Sequence, residues 1–514
     1  MRVESIAKKA YIEEVLKYLN QGLYEKEIVL SMCLLGLFSG ENTVLLGPPG
    51  TAKSLVARLT FSIFKECNDF QILMGRLTTD NDLYGPVCIS SLKNGNYKRN
   101  TEGFLPTANT AFLDEVFKAS PGVLNSLLSV IHEKIFFNGS ERQTAPLVNV
   151  IGASNETPQD PELEALYDRF PIRIYVGPMK EASHFQKLIQ SKPIPSLPFP
   201  NELKITFEDL KPWKNQAKSV TVSADTFKVI EFLRSKLAKM TGRKFVISDR
   251  RWLILRGILQ TAAFLSDRDA TNLTDCLILR HCLWSEMEDV EFIQKMVEDT
   301  VRQCGVQTSV DSSGHVQELG TLENKLHSTL FHDEDVYKTE LFQGSEYFTL
   351  KITSPDDEII DLLIDANRIG ITGEFQPIVC SANVGVDLMC NFESSKICSI
   401  SGEINSIYYG KIHDVNLTLK PKCLISKGDD REEVDVKTLQ HLTEEITHLK
   451  SNIEKALVEV ETKKAQYEQE LDSPFVPKHL HNIPIEGIIN QIDTLKLQVK
   501  DCERLLSLGD VKNA

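Results

Sequence analysis

The chain has 514 residues, a length typical of about three or four domains. Hydrophobic residues make up 42% and charged residues 25% of it, which indicates packed cores and excludes a largely disordered protein. The 57 Lys and Arg against 72 Asp and Glu give a net charge of −15, which argues against a protein that coats nucleic acid nonspecifically. No run approaches about 18 apolar residues, and charges occur throughout residues 1–30, so we expect a cytoplasmic protein with neither a membrane span nor a signal peptide.

A glycine-rich sequence near the N-terminus is the first motif that indicates chemistry. Residues 6–38 have a helical pattern, and residues 43–46 predict a short buried strand. The motif follows that strand, and a helical period resumes after it through Leu55, Leu59 and Ile63. Its residues are Gly47, Pro48, Pro49, Gly50, Thr51, Ala52, Lys53 and Ser54. A strand, a glycine-rich loop and a helix in this order are typical of a phosphate-binding loop.

We therefore predict that this motif, with Leu55 behind it, binds ATP. Its backbone N–H groups and the positive end of the helix would surround the phosphates. Lys53 is predicted to bridge the β- and γ-phosphates, and the Ser54 hydroxyl to bind Mg²⁺. Ala52 stands where such loops usually have glycine. Because its methyl group is tolerated only at negative φ, we expect negative φ at Ala52.

Polar residues also end the later strands. Apolar runs alternate with helical stretches at residues 70–74, 111–113, 148–153 and 172–176, which predicts a parallel sheet covered on both faces. Asp114 lies 61 residues after Lys53, at a strand end where a carboxylate can hold the Mg²⁺ shell, and Glu115 can deprotonate the attacking water. Asn155 ends the next run and either holds the water or γ-phosphate or merely forms a turn.

Two arginines are candidates for contacts with the γ-phosphate. Arg169 either pairs with the adjacent Asp168 or reaches into a neighbouring subunit's site as an arginine finger. Arg250 lies at the start of a helix predicted from residue 248 onward, where it can couple that helix to the state of the nucleotide. Two Asn-Gly pairs, Asn94-Gly95 and Asn138-Gly139, lie between short β-favouring segments and predict hairpins.

The rest of the chain changes character several times. Four prolines in residues 192–200 predict a linker, residues 224–289 return to helices, and residues 347–422 alternate polar and apolar positions as strands do. Apolar seams at residues 439–456 and 485–506 predict two antiparallel helices, joined by a third from residues 289–304 or 316–326.

This organisation predicts a multi-domain chain with α/β, α and β parts. The predicted domains are an α/β nucleotide-binding core at residues 1–191, a helical lid at 201–295, a discontinuous triple-helical domain at 296–335 and 435–514, and a small inserted β domain at 340–425.

The first 300 residues or so resemble the AAA+ ATPases of the MoxR family, and among them the RavA type. The matching segments are GLYEKE at 22–27, LLGPPGTAKS at 45–54, FLDEVFKASPGVLNSLLSVIHEKIFFNG at 112–139, ASNE at 153–156, LEALYDRF at 163–170 and SDRRW at 248–252. The resemblance implies a five-stranded parallel core with a helical lid, and a homohexameric ring with ATP and Mg²⁺ bound at subunit borders.

The resemblance also implies roles for single residues. Leu23 and Tyr24 would close over the adenine base, and Asn155 would be the first sensor. Arg169 would be the finger and Arg250 the second sensor, with Arg173 and Arg251 as the alternative assignments. RavA-type proteins work with a von Willebrand factor A domain partner of ViaA type, and their projecting β domain docks an inducible lysine decarboxylase.

Three functions follow from these observations. The first is a hexameric ATPase that uses hydrolysis to remodel, activate or chaperone a protein partner, and the set of Glu115, sensor and finger favours it. The second is a scaffold in which ATP locks a ring that displays six β domains, with turnover incidental. The third, a nucleic-acid motor, is disfavoured by the net charge of −15 and by the lack of a segment that combines aromatic and basic residues.

Overall fold

The protein is described by a computed structural model that covers residues 7–158, 163–190, 199–240, 247–306, 313–353, 359–380, 384–394, 397–406 and 412–510. It forms two compact units, residues 1–310 with 458–493, and residues 311–457 with 494–514. The predicted proline-rich linker lies outside the described residues except for Phe199 and Pro200. Among the helices of the described ranges, none combines the length and the apolar character that crossing a membrane requires.

The N-terminal part of the first unit alternates helices and strands. In chain order they are α1 (Lys8–Leu19), α2 (Glu27–Ser39), β1 (Thr43–Leu46), α3 (Lys53–Phe61), β2 (Asp69–Leu73), α4 (Asp80–Tyr84), α5 (Ile89–Lys93), β3 (Thr110–Asp114), α6 (Pro121–Leu128), β4 (Ile135–Asn138), β5 (Glu141–Thr144), β6 (Asn149–Ser154), α7 (Glu164–Tyr167), β7 (Ile172–Tyr175) and α8 (Ala182–Gln190).

Five of these strands form the predicted parallel sheet, in the order β2-β3-β6-β1-β7. All four strand pairs are parallel, so the carboxyl ends of β1, β3 and β6 meet at one edge of the sheet. All residues of β1 and β6 are buried, as expected for strands that are covered on both faces. The segments that follow these three strands carry the predicted site residues Lys53, Glu115 and Asn155.

Two local predictions were wrong. The helical pattern over residues 6–38 is two helices, because the chain turns between α1 and α2, where Gly22 and Glu25 have φ of 81° and 58°. Asn94-Gly95 is not a hairpin turn, since it follows the short helix α5. Asn138-Gly139 does lie in a hairpin, formed by β4 and β5.

Helix α3 begins where the helical period was predicted to resume, but it ends at Phe61, before Ile63. The apolar residues that it buries include Val56 and Ala57. Lys53 is itself buried and points back into the loop, and residues three and four positions further share its face of the helix. The orientation of the lysine therefore agrees with the buried face that α3 shows.

Helices form the remainder of the first unit. They are α9 (Phe207–Ala217), α10 (Ala224–Ala238), α11 (Asp249–Leu265), α12 (Leu273–Cys276) and α13 (Val290–Gln303). Ser248 caps α11, because its side chain accepts a hydrogen bond from Arg251 N. This cap fixes the start of the helix at Asp249, so that Arg250 lies in its first turn. The C-terminal residues 458–493 also belong to this unit.

The second unit combines helices with a β domain. Its elements are α14 (Ser313–Leu330), β8 (Val336–Tyr337), β9 (Glu340–Phe342), β10 (Ser345–Thr353), β11 (Ile359–Asp365), β12 (Ile378–Cys380), β13 (Val384–Ser394), β14 (Ile397–Ser406), β15 (Ile412–Leu419), β16 (Cys423–Ile425), and parts of α15 (Val436–Glu470) and α16 (Glu486–Asp510). The sheets β12-β11-β10-β9 and β13-β14-β15 share one apolar core that includes Phe348, Leu362 and Phe392. Ion pairs from α16 to α14 and to α15, Arg504 with Glu323 and Lys450 with Glu503, connect the three helices.

Candidate functional site

The predicted phosphate loop lies at the carboxyl end of β1, and α3 begins at its lysine. Gly47 has φ of 147°, and a Cβ atom at this position would lie 2.4 Å from the carbonyl oxygen of Val176. A side chain at residue 47 would therefore collide with the backbone that follows β7. Pro48, Pro49 and Gly50 are exposed, whereas Thr51 is buried and its hydroxyl donates to Pro48 O at 3.0 Å. The loop is therefore fixed by Thr51 on its buried side and exposed to solvent at residues 48–50, where a phosphate can reach it.

Ala52 contradicts the expectation of negative φ. It has φ of 68° and ψ of 23°, in the left-handed region. For a residue with a Cβ atom this conformation costs roughly 1–2 kcal/mol. The turn that brings the loop into α3 needs this conformation, and here alanine adopts it in place of glycine.

Lys53 is the residue that closes the loop. Its Nζ donates to Gly47 O at 2.6 Å, to Pro48 O at 2.9 Å and to Asn155 Oδ1 at 3.2 Å. Burial lowers the pKa of its amino group, while Glu115 and Asp114 act in the opposite direction. The lysine therefore places its charge between the loop and the ends of β3 and β6.

Asn155 joins that lysine to Glu115. Its Nδ2 donates to Glu115 Oε1 at 2.6 Å, while its Oδ1 accepts from Lys53. Glu115 also contacts Lys118 Nζ, 3.2 Å from Oε2, and it has φ of 52°. Strained backbone of this kind clusters at functional sites. Lys118 was missed by sequence reasoning, although it lies three residues after Glu115, a spacing at which side chains meet within a helical turn.

The predicted Mg²⁺ ligands lie beside this cluster. Ser54 is exposed at the second position of α3. Asp114 is half-buried at the end of β3, and its Oδ1 accepts from Glu115 N at 3.1 Å. A hydroxyl and a carboxylate are oxygen ligands of the type that Mg²⁺ prefers. The donor set at this edge therefore fits the ion.

Arg169 and Arg250 lie together, away from the loop. They line a cavity of about 340 Å³ with Gly40, Glu41, Asn42, Ile131, His132, Lys134, Asp168, Pro171, Lys214 and Ile254. Asn42 precedes β1, and its Nδ2 donates to Arg169 O at 3.1 Å. The cavity therefore lies at the amino edge of the sheet, and β1 separates it from the phosphate loop by about 13 Å. We call it the arginine pocket.

The alternative arginines occupy a different environment. Arg173 is 2% exposed, donates to Trp284 O at 2.8 Å and to Ser285 Oγ at 3.1 Å, and lies 3.7 Å from the ring centre of Tyr167. Arg251 is 4% exposed and donates to Cys282 O at 2.6 Å; burial lowers its pKa to about 9. Both side chains connect the sheet or α11 to residues 282–285 through hydrogen bonds within the chain.

The predicted adenine contact is a turn held by Glu25. Leu23 is buried, and Tyr24 stacks on His184 with ring centres 5.7 Å apart. The two carboxylate oxygens of Glu25 accept from Lys180 N and Glu181 N at 2.8 and 2.9 Å. The two backbone hydrogen bonds are the main reason why the pKa of Glu25 is lowered to about 2, and His184 contributes less. Sequence reasoning missed this clamp, because its partners lie more than 150 residues away in the chain.

Comparison with known proteins agrees with this geometry. Residues 10–211 match the family described as the MoxR domain in the MoxR-vWA-beta-propeller ternary systems, and residues 225–297 match an AAA lid domain. Two uncharacterised proteins of Methanocaldococcus jannaschii are 35% and 36% identical over 289 and 288 residues, which is 56% of this chain and 74% of each relative. A solved structure from Cytophaga hutchinsonii is 19% identical, with a TM-score of 0.47, and the match covers 59% of this chain and 96% of that one. Through the match of residues 10–211 to a MoxR domain and of residues 225–297 to an AAA lid, the chain belongs to the MoxR family of AAA+ ATPases.

Proposed function

We propose that this protein is an ATPase that assembles into a homohexameric ring and uses ATP hydrolysis at subunit borders to remodel, activate or chaperone a protein partner. The observation that carries the proposal is the link made by Asn155, which contacts both the loop lysine and the proposed base Glu115. One neutral amide thus aligns the group that would hold the γ-phosphate with the group that would activate water.

Residues at the carboxyl edge of the parallel sheet would carry out the separate tasks of the proposed reaction. The loop N–H groups and Lys53 would hold the phosphates of ATP, and the carboxylate of Glu115 would take the proton of the attacking water while Asn155 orients it. Mg²⁺, when bound by Ser54 and Asp114, would neutralise charge on the phosphate oxygens. Leu23 and Tyr24 would contact the adenine ring.

Arg169 and Arg250 would serve the ATP of a neighbouring subunit. The length of β1 separates them from their own loop, which is further than an arginine side chain extends. Both line a cavity, whereas Arg173 and Arg251 are buried and each donates to a backbone carbonyl within the chain. We therefore assign the finger to Arg169 and the second sensor to Arg250, both acting in trans.

Two substitutions test the site itself. Glu115→Gln should reduce ATP turnover at least about 100-fold and keep ATP bound, because the amide keeps its shape but takes no proton. Lys53→Ala should instead weaken ATP binding, by about 10- to 100-fold in an equilibrium titration. Glu156→Gln, which changes an exposed carboxylate next to Asn155, is the matched control. Wild-type turnover in Glu115→Gln would contradict the assignment of the base.

The partners are proposed from the family. The matched family is described in systems that combine a MoxR domain with von Willebrand factor A and β-propeller proteins, so we propose a von Willebrand factor A domain partner of ViaA type. We propose the β domain as the dock for a client, an inducible lysine decarboxylase or another protein. It carries none of the proposed phosphate, sensor or finger residues.

The β domain can be removed at its base, where the two ends of the inserted segment lie side by side. The chain enters and leaves through paired strands, and Lys338 N donates to Lys422 O at 2.8 Å. Replacing residues 340–421 by a short Gly/Ser linker should keep assembly and basal hydrolysis within about twofold, because loop closure costs grow slowly with length, while client capture is lost. If hydrolysis collapses in the folded variant, the β domain belongs to the ATPase. If Glu115→Gln supports client function as well as wild type, the protein is the ATP-gated scaffold instead.

A further inference from the structure

The segment between α6 and β4 has an unusual backbone. Residues Ser129–Glu133 form a π-helical turn, and Lys134 follows with φ of 55° and ψ of 34°. π-Helical turns occur frequently at functional sites, and left-handed backbone at a residue other than glycine persists only where the surrounding structure imposes it. Both His132 and Lys134 line the arginine pocket, so the strained segment forms part of its wall.

The charge of this pocket favours an anion. Its lining side chains include four cations, Lys134, Lys214, Arg169 and Arg250, and two acids, Glu41 and Asp168. Asp168 lies 3.7 Å from Arg169 and 3.9 Å from Arg251. Burial, and then the nearby Arg250 and Arg169, lower the pKa of His132, which favours its neutral form. Counted by formal charge with His132 neutral, the lining has an excess of two positive charges, a composition suited to a group with several negative charges such as a phosphate.

Lys134 also lies at the base of the β4–β5 hairpin, directly before β4. Its carbonyl oxygen accepts from Ala145 N at 2.8 Å, which closes the base of the hairpin. Further along, Asn138 exchanges two hydrogen bonds with the backbone of Arg99, and Phe137 is 60% exposed. A change in the backbone at Lys134 would therefore change the direction in which the hairpin leaves the core.

We propose that Lys134 is a positioning residue that senses the terminal phosphate of a nucleotide held by a neighbouring copy and transmits its arrival to the β4–β5 hairpin. This inference rests on the proposed ring, in which the arginine pocket faces the ATP of the next subunit. Among the four cations of the pocket, Lys134 is the one whose own backbone begins the hairpin. A phosphate that attracts its amino group would act directly on the strained residue, and differential binding to two arrangements of that residue is what a switch requires.

Hydrogen exchange on the full chain tests this relay. In a Glu115→Gln background that keeps ATP bound, MgATP should slow exchange at residues 47–55 and at the hairpin, residues 135–144. A coupling of ordinary size would change hairpin exchange by about 5- to 150-fold. With Lys134→Met added, the loop response should persist and the hairpin response should fall to less than half. Lys134→Arg, made in place of Lys134→Met, keeps the positive charge and should retain the hairpin response. A merely structural role for the lysine does not predict this difference between the two variants.

Two further variants separate the possible failures. Lys134→Asn removes the charge but tolerates left-handed backbone, so it should behave as Lys134→Met even if the latter folds poorly. Lys93→Met, which changes an exposed lysine of α5, is the control and should leave both responses intact. A full hairpin response in Lys134→Met and Lys134→Asn would overturn the proposed role of Lys134 and leave the proposed ATP site standing. If MgATP fails to slow exchange at residues 47–55 in the Glu115→Gln background itself, the proposed ATP site is wrong and the relay falls with it.

Discussion

The two edges of the central sheet differ in how far their charged side chains are paired with one another. At the carboxyl edge, Lys53, Asn155 and Glu115 bond to one another and to loop carbonyls. At the amino edge, the lining of the arginine pocket includes four cations and two acids. One edge holds polar side chains that bond to one another, and the other edge carries more cationic than acidic side chains. The two are complementary, which is what contact between successive copies in a ring would use.

Removing Arg169 should have the largest effect on this arrangement. A finger donated in trans contributes roughly 10³- to 10⁵-fold to the rate in other phosphoryl-transfer enzymes. Arg169→Ala should therefore hydrolyse ATP at least about 10³-fold more slowly, with unchanged ATP affinity, because its own loop is intact. Arg142→Ala, on the exposed hairpin strand β5, should be nearly neutral.

Mixing experiments then decide whether the two edges meet between copies. Adding excess Glu115→Gln subunits to Arg169→Ala subunits should restore part of the activity, because an intact finger from one chain would serve an intact base in the other. Steady-state hydrolysis during the titration measures this rescue. Mixed rings that form, as shown by mass spectrometry, and yet stay inactive would show that Arg169 does not act in trans.

A smaller effect separates the two pairs of arginines. Arg173→Met removes donors to Trp284 and Ser285 and a contact with the Tyr167 ring, so it should lower the free energy of unfolding by about 3 kcal/mol. Arg250→Met changes an exposed side chain and should change it by no more than about 0.5 kcal/mol. The midpoint of the first thermal transition measures both. Equal losses would contradict the division into buried connectors and pocket arginines.

The sequence predicted the carboxyl edge better than the amino edge, for a physical reason. The residues of β1 were predicted correctly, and the polar residues that follow β3 and β6 are found where parallel strands bring their carboxyl ends together. Spacing along the chain therefore carried that information. Glu41, Lys134 and Lys214 meet only because the fold brings together three distant segments. Lys134 lies in the matched segment 112–139, but no local pattern there indicates that it meets the other two.

Backbone conformation was the other feature that the sequence did not reveal. Ala52 and Lys134 both have left-handed backbone, although neither is a residue type that prefers it. In both places the surrounding structure overrides the local preference, once to bring the loop into α3 and once to start a hairpin.

Replacing Ala52 by glycine should give the smallest effect, and one of opposite sign. Glycine adopts the left-handed conformation without a Cβ penalty, and its greater freedom in the unfolded chain offsets only part of that gain. Ala52→Gly should therefore raise the free energy of unfolding by roughly 0.5–1 kcal/mol. Ala57→Gly, in the interior of α3, is the control and should lower it by about 1 kcal/mol or more. Thermal midpoints of the two variants decide the matter, and a loss in Ala52→Gly as large as in Ala57→Gly would mean that residue 52 does not have the left-handed conformation in solution.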